Sequence, residues 1–151
     1  MCGIIGYTNN VSNNQSVIEN MLQKISHRGP DDQGYYQDSK ITLGMRRLSI
    51  IDLDSGNQPL FNEDKSLILV FNGEIYNYQV LRAKLISLGH TFTTNSDSEV
   101  IIHGYEEYGN DIVNHLRGMF AFAIYNIHTK ALFIARDIFG IKPLFYTIVK
   151  K

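Results

Sequence analysis

Cys2 is the only cysteine in the chain and stands directly behind Met1. If an aminopeptidase removes Met1, one residue carries a thiol and a free α-amine on the same Cα, a nucleophile beside a base. Ordinary pKa values of about 8.5 for a thiol and about 7.7–8.0 for an α-amine let a proton pass between them near neutrality. A lone cysteine near a terminus is ordinarily a small hydrophobe, so the chemistry needs partners. Asn72-Gly73 follows the apolar run 67–71. An Asn side-chain N–H and a Gly backbone N–H on an exposed turn can both donate to a developing oxyanion, although Asn-Gly after a strand is most often a hairpin turn. Arg46 and Arg47 run straight into an apolar segment. Side chains alternate along a strand, which turns one arginine inward, while a solvated turn arginine beside a snorkelling one is the plainer alternative. Asp97 lies in Ser96-Asp97-Ser98-Glu99, a capping box whose helix dipole suits a carboxylate without any ligand. His103 has Glu99 and Glu107 at helical spacing. That is too few convergent donors for a metal, so these residues read as a solvated face and no metal site is expected.

The elements that must hold these residues are legible as periods. Residues 4–7 read as a strand, and Ser16-Val17-Ile18-Glu19 as a capping box opening a helix with Ile18, Met21, Leu22 and Ile25 on one face. His27-Arg28-Gly29-Pro30-Asp31-Asp32 breaks it, because Pro30 biases Gly29 away from helix. Residues 34–37 and 41–45 form a hairpin bent at 38–40, and 54–59 form a loop. The run 67–71 is apolar throughout, as in a strand covered on both faces. Tyr78, Leu81, Leu85 and Leu88 mark a helix closed by Gly89, so Asn72-Gly73 is expected on a turn leading into it. Val100, Ile101, Tyr105 and Tyr108 mark another helix. Residues 119–125 and 131–135 read as a hairpin with layers above and below, 136–143 as a loop, and 144–149 as a final strand.

A chain of 151 residues suits one domain that buries roughly 68–70% of its unfolded surface. With 14 Lys+Arg against 15 Asp+Glu and no basic block, neither nucleic acid nor an acidic membrane is an expected partner. One cysteine makes no internal disulfide, and no secretory signal is visible at the N-terminus, so a cytoplasmic location is expected. The apolar runs are too short to span a bilayer.

Taken in order, Met1-Cys2-Gly3-Ile4, His27-Arg28-Gly29-Pro30-Asp31, Arg47-Leu48-Ser49-Ile50-Ile51-Asp52, Asn72-Gly73-Glu74-Ile75-Tyr76-Asn77, Ser96-Asp97, Gly118-Met119-Phe120-Ala121-Phe122-Ala123 and Arg136-Asp137 carry a resemblance over nearly the whole chain. The set resembles the glutaminase domain of class II glutamine amidotransferases, which are N-terminal-nucleophile (Ntn) hydrolases, in the asparagine synthetase branch. Branches acting on phosphoribosyl or sugar-phosphate acceptors carry Thr-Arg-Trp where this chain has Arg46-Arg47-Leu48-Ser49-Ile50. Met45 departs from the pattern, since relatives often have histidine there.

The resemblance implies an α+β fold, a four-layer αββα sandwich of two antiparallel sheets flanked by helices, here expected to lack its last strands. It implies Cys2 as nucleophile with its α-amine as base, Asn72 and Gly73 as oxyanion hole, and Arg47 with backbone near Ile50 on the substrate α-carboxylate. Glu74 and Asp97 are implied on the α-ammonium, with Arg28 and Asn77 as supporting residues. The expected reaction hydrolyses the side-chain amide of L-glutamine to glutamate and ammonia for ATP-dependent asparagine synthesis from aspartate. The alternatives are a related amidotransferase with a sugar or peptide acceptor, or a glutamine-binding module without chemistry if Met1 stays. No cofactor is expected here; ATP and Mg belong to a synthetase domain expected to be absent from a truncated chain. An ammonia-accepting synthetase domain or subunit and a homodimer are the partners allowed for.

Overall fold

A computed structural model describes residues 2–8, 14–48 and 56–149. Strand β1 (Gly3–Thr8) starts immediately after Cys2. Helix α1 (Asn14–Lys24) and a 3-10 turn (Ser26–Arg28) lead to β2 (Asp32–Gln37) and β3 (Ile41–Arg47). The last two form the expected hairpin, with Gln37 opposite Thr42, and β1 pairs antiparallel along the other edge of β3. The second sheet holds β4 (Leu60–Phe61), β5 (Leu67–Ile75), β6 (Gly118–Asn126) and β7 (Leu132–Arg136) in that spatial order, all antiparallel. Helices α2 (Tyr78–Ser87) and α3 (Glu99–Tyr108) connect β5 to β6.

Alternation along β5 explains why its sequence is apolar at every position. Ile68 and Val70 face the first sheet, where they pack with Ile41, Leu43, Met45, Ala123 and Tyr125. Leu67, Leu69 and Phe71 face the other way, onto Leu81 and Leu85 of α2 and Val100 and Ile101 of α3. On the far side of the first sheet α1 lays down Ile18 and Leu22, both fully buried. Each such side chain contributes about 1.5–3 kcal/mol relative to exposure. Gly44 lets the helix sit this close, because a Cβ there would lie 2.8 Å from Ile18 Cδ1. The layers are therefore α, β, β, α, an α+β sandwich.

Asp38 fastens the hairpin to the facing sheet. Its Oδ1 accepts the Lys40 and Ile41 N–H groups at 2.7 and 2.9 Å, and its Oδ2 accepts the Tyr125 hydroxyl at 3.0 Å. Burial and the bond to Asp38 push the Tyr125 phenol up to about 12.

Five sequence expectations change, the last only in part. Helix α1 already includes Asn14, so Ser16 sits inside its first turn and not ahead of it. At α3 no capping box forms: Ser98 makes no side-chain cap bond, and Glu99 turns back to accept from the backbone and hydroxyls of Thr93 and Thr94. Residues 144–149 form no strand: among the described residues β7 has no further partner, and Phe145, Tyr146 and Ile148 face solvent. Of the 119–135 hairpin only β6 is covered on both faces; β7 is an edge with Ile134 exposed. Gly89, at φ +109°, does end α2, but Leu88 beside it is exposed.

Candidate functional site

Register brings the thiol to its neighbours. Gly3 pairs with Arg46 across β1 and β3, so the chain enters β1 beside the end of β3. Cys2 Sγ accepts the Leu48 N–H at 3.4 Å and donates to the Leu48 carbonyl at 3.6 Å. Arg28 Nε donates to the Cys2 carbonyl at 3.1 Å and holds the backbone from the other side. The half-buried sulfur lines a cavity of about 360 Å³ between the ends of the two sheets, within the size range of small-molecule sites.

Asn72-Gly73 is not on a turn. Strand β5 runs on to Ile75, and Asn72, Gly73 and Glu74 pair in register with Ala121, Phe120 and Met119 of β6. Donors of alternate residues on an antiparallel strand point to the same edge. The Phe71 N–H goes to Gln58 Oε1 at 2.7 Å and the Ile75 N–H to Asp97 Oδ2 at 2.7 Å, both away from β6. Gly73 lies between them, so its N–H leaves by that same edge, beyond the reach of the two-residue β4. The donor comes from an unpaired strand edge. Glycine is required, since a Cβ at position 73 would stand 2.2 Å from the Met119 carbonyl oxygen. Asn72 beside it is buried, and both residues line the cavity.

Charge in the cavity is divided. Arg47 is 5% exposed and donates from Nη1 to Asn57 Oδ1 at 2.7 Å, whereas Arg46 points outward to Gln33 Oε1. The inward arginine expected from strand alternation is therefore Arg47. Glu74 and Asp97 line the same cavity. Burial raises the Asp97 carboxyl above its usual range and the nearby Glu74 charge raises it further, against the lowering pull of the Ile75 N–H. A thiol, a guanidinium, two amide-type donors and two carboxylates thus share one space.

Arg28 and Asn77 stand outside that lining. Arg28 braces Cys2, and Asn77 ties the end of β5 to the approach to β6, donating to the His115 carbonyl and accepting the Arg117 N–H, each at 2.9 Å. Met1 and Ile50 lie outside the described residues. Gln58, Ser96 and Lys142 also line the cavity and were missed from sequence. The only signal for Lys142 is the Asp137 upstream: its Oδ1 accepts the Ile141 N–H, and its Oδ2 accepts those of Lys142 and Phe120, pinning the loop to β6. His103 is not on a solvated face; it is 1% exposed and meets Glu63, Glu99 and Glu106.

Among the described residues no helix is long and apolar enough to cross a membrane. The family model described as a glutamine amidotransferase domain matches residues 1–151. Asparagine synthetase [glutamine-hydrolyzing] 1 of Bacillus subtilis is 47% identical over 99% of this chain and 24% of its own length. The chain spans about a quarter of the length of the curated relatives it matches. A solved glutamine phosphoribosylpyrophosphate amidotransferase of B. subtilis aligns with TM-score 0.55 at 24% identity, over 68% of this chain and 24% of that one. An allosteric regulatory enzyme of purine biosynthesis aligns with TM-score 0.58 at 27% identity, over 70% and 25%. The sandwich, the cavity beside Cys2 and the match over all 151 residues agree, and the chain belongs to the glutamine amidotransferase domain family.

Proposed function

We propose that this domain hydrolyses the side-chain amide of L-glutamine with Cys2 as an N-terminal nucleophile exposed by removal of Met1. The observation that carries this reading is the cavity in which the Cys2 thiol shares space with Arg47, Glu74 and Asp97. A guanidinium facing two carboxylates complements an amino-acid zwitterion, with the thiol left for the far end of its side chain.

In this reading Arg47 takes the α-carboxylate, together with backbone near Ile50, and Glu74 and Asp97 take the α-ammonium. The sulfur attacks the amide carbon, forming an S–C bond as the α-amine of Cys2 accepts the thiol proton. The Asn72 side chain and the Gly73 N–H stabilise the oxyanion, a contribution of about 10²–10³-fold in turnover per donor. The C–N bond then breaks, the amine returns the proton to the departing ammonia, and water cleaves the thioester to glutamate. Arg28 and Asn77 position the loops around this chemistry. The ammonia supplies ATP- and Mg-dependent asparagine synthesis from aspartate in a partner domain or subunit, in the cytoplasm. The names of the similar relatives support that acceptor.

The experiment is a glutamate-release assay on purified protein whose intact mass shows Met1 removed. Release from glutamine that disappears in Cys2→Ala is expected. A Met1-free protein with no turnover overturns the proposal.

A further inference from the structure

Among residues that do not line the thiol cavity, donors far apart in sequence converge. Glu63 from the turn after β4, His90 from the connection after α2, and His103 and Glu106 from α3 present one ligand atom each, all within 4.8 Å of one another. His103 Nδ1 lies 3.0 Å from Glu106 Oε2 and 3.3 Å from Glu63 Oε2; His90 Nδ1 lies 3.3 Å from Glu63 Oε1 and 3.6 Å from Glu106 Oε2. A tetrahedral zinc site with bonds of about 2.0–2.1 Å has edges of roughly 3.3 Å. These four separations, two of them to different oxygens of Glu63, bracket that value.

The surroundings form an independent observation. Metal-binding histidines typically give their other ring nitrogen to a carboxylate, which fixes the tautomer. His90 does so here, its Nε2 lying 3.0 Å from Glu107 Oε1, while His103 Nε2, buried without a hydrogen bond, faces Glu99 Oε1 at 3.5 Å. Nδ1 of each ring faces the cluster's carboxylates, where a bound ion would displace its proton. The carboxylates are held as well: Asn62 Nδ2 donates to Glu106 Oε1 at 2.7 Å, and the Thr91 N–H to Glu63 Oε1 at 3.0 Å. His103 is buried whereas Glu63 is partly exposed, which gives an ion a way in.

We infer that Glu63, His90, His103 and Glu106 form a structural binding site for a divalent transition-metal ion of the zinc class, stapling the β4 turn and the α2–α3 connection to α3. Four protein ligands leave no open position, so the ion is structural and takes no part in amide hydrolysis.

The test uses the full chain in a Cys2→Ala background, which removes the thiol as a competing ligand, stripped with EDTA and offered zinc chloride alone. After gel filtration one zinc per chain is expected by elemental analysis. The Tm is expected to rise by about 5–10 °C at a hundredfold excess of zinc over Kd. Cobalt(II) in place of zinc should give tetrahedral ligand-field bands. His90→Gln and the more exposed Glu63→Gln should each lose the stoichiometric metal and the Tm rise, with unchanged circular dichroism confirming the fold; His103→Gln is the harsher variant. Imidazoles that are simply protonated and ion-paired would take up no stoichiometric zinc, and that result overturns the inference. So does zinc uptake that persists in both His90→Gln and Glu63→Gln.

Discussion

Asp97 Oδ2 accepts the backbone N–H of Ile75 at 2.7 Å, so a residue two positions ahead of α3 closes the open edge of β5 two positions beyond Gly73. This bond aims a buried carboxylate into the thiol cavity, and burial raises its pKa, with the Glu74 charge adding to the effect. A raised folded-state pKa means the contribution of Asp97 to stability is fully present below its unfolded value and is lost as pH rises through the folded one. At neutral pH the charged group costs stability.

Asp97→Asn keeps an oxygen for the Ile75 N–H and removes the charge. Its Tm is expected to exceed that of the parent at pH 7, with the advantage shrinking toward pH 4, while KM for glutamine rises about 10- to 100-fold through loss of a charge-assisted contact. In the parent, KM should climb on acidification at a higher pH than an ordinary carboxylate would dictate. Thermal melts and a KM–pH series check both; an advantage over the parent that is no larger at pH 7 than at pH 4 contradicts the argument.

Gly73→Ala places a Cβ 2.2 Å from the Met119 oxygen and 2.8 Å from Phe120 Cα, both backbone atoms that cannot rotate away. Strand β5 must shift on β6, at a cost of about 1–3 kcal/mol in urea unfolding. The displaced N–H should lower kcat for glutamine more than it changes KM. Wild-type stability and turnover in this variant would show that the strand edge is looser than its register implies.

Arg28→Lys removes the Nε that bonds the Cys2 carbonyl at 3.1 Å but leaves the lining of the thiol cavity intact. Misplacing a nucleophile by a fraction of an ångström typically costs about 10- to 100-fold, so kcat should fall by that order with KM little changed. Steady-state kinetics separate the two, and a rise confined to KM would point instead to direct substrate contact.

Asp137→Ala strips the acceptor from the N–H groups of Phe120, Ile141 and Lys142, two of them buried. Buried donors left unpaired should lower stability by about 2–4 kcal/mol. The loop carrying Ile141 and Lys142 should also leave the cavity wall, which hydrogen exchange at those amides would report. Protection equal to the parent would mean that the loop is held by other contacts.

Most strands and helices, the doubly covered β5 and the inward arginine were legible in the sequence, because each depends on the period of side chains along one segment. The position of Cys2 and the motifs that accompany it singled it out, and it lines one cavity with Arg47, Asn72, Gly73, Glu74 and Asp97. Other features belong to pairing between distant segments. Asn72-Gly73 resembles a turn locally, yet forty-odd residues later β6 arrives to keep it in a strand, and hydrogen-bond parity then aims the Gly73 donor outward. Glu99 matches a capping box locally but finds Thr93 and Thr94. His103 looks solvated beside its helical neighbours until the β4 turn brings Glu63 and the α2–α3 connection brings His90. Side-chain period is a property of the chain, whereas the direction of an unpaired donor and the convergence of ligands are set only when the sheets and helices pack.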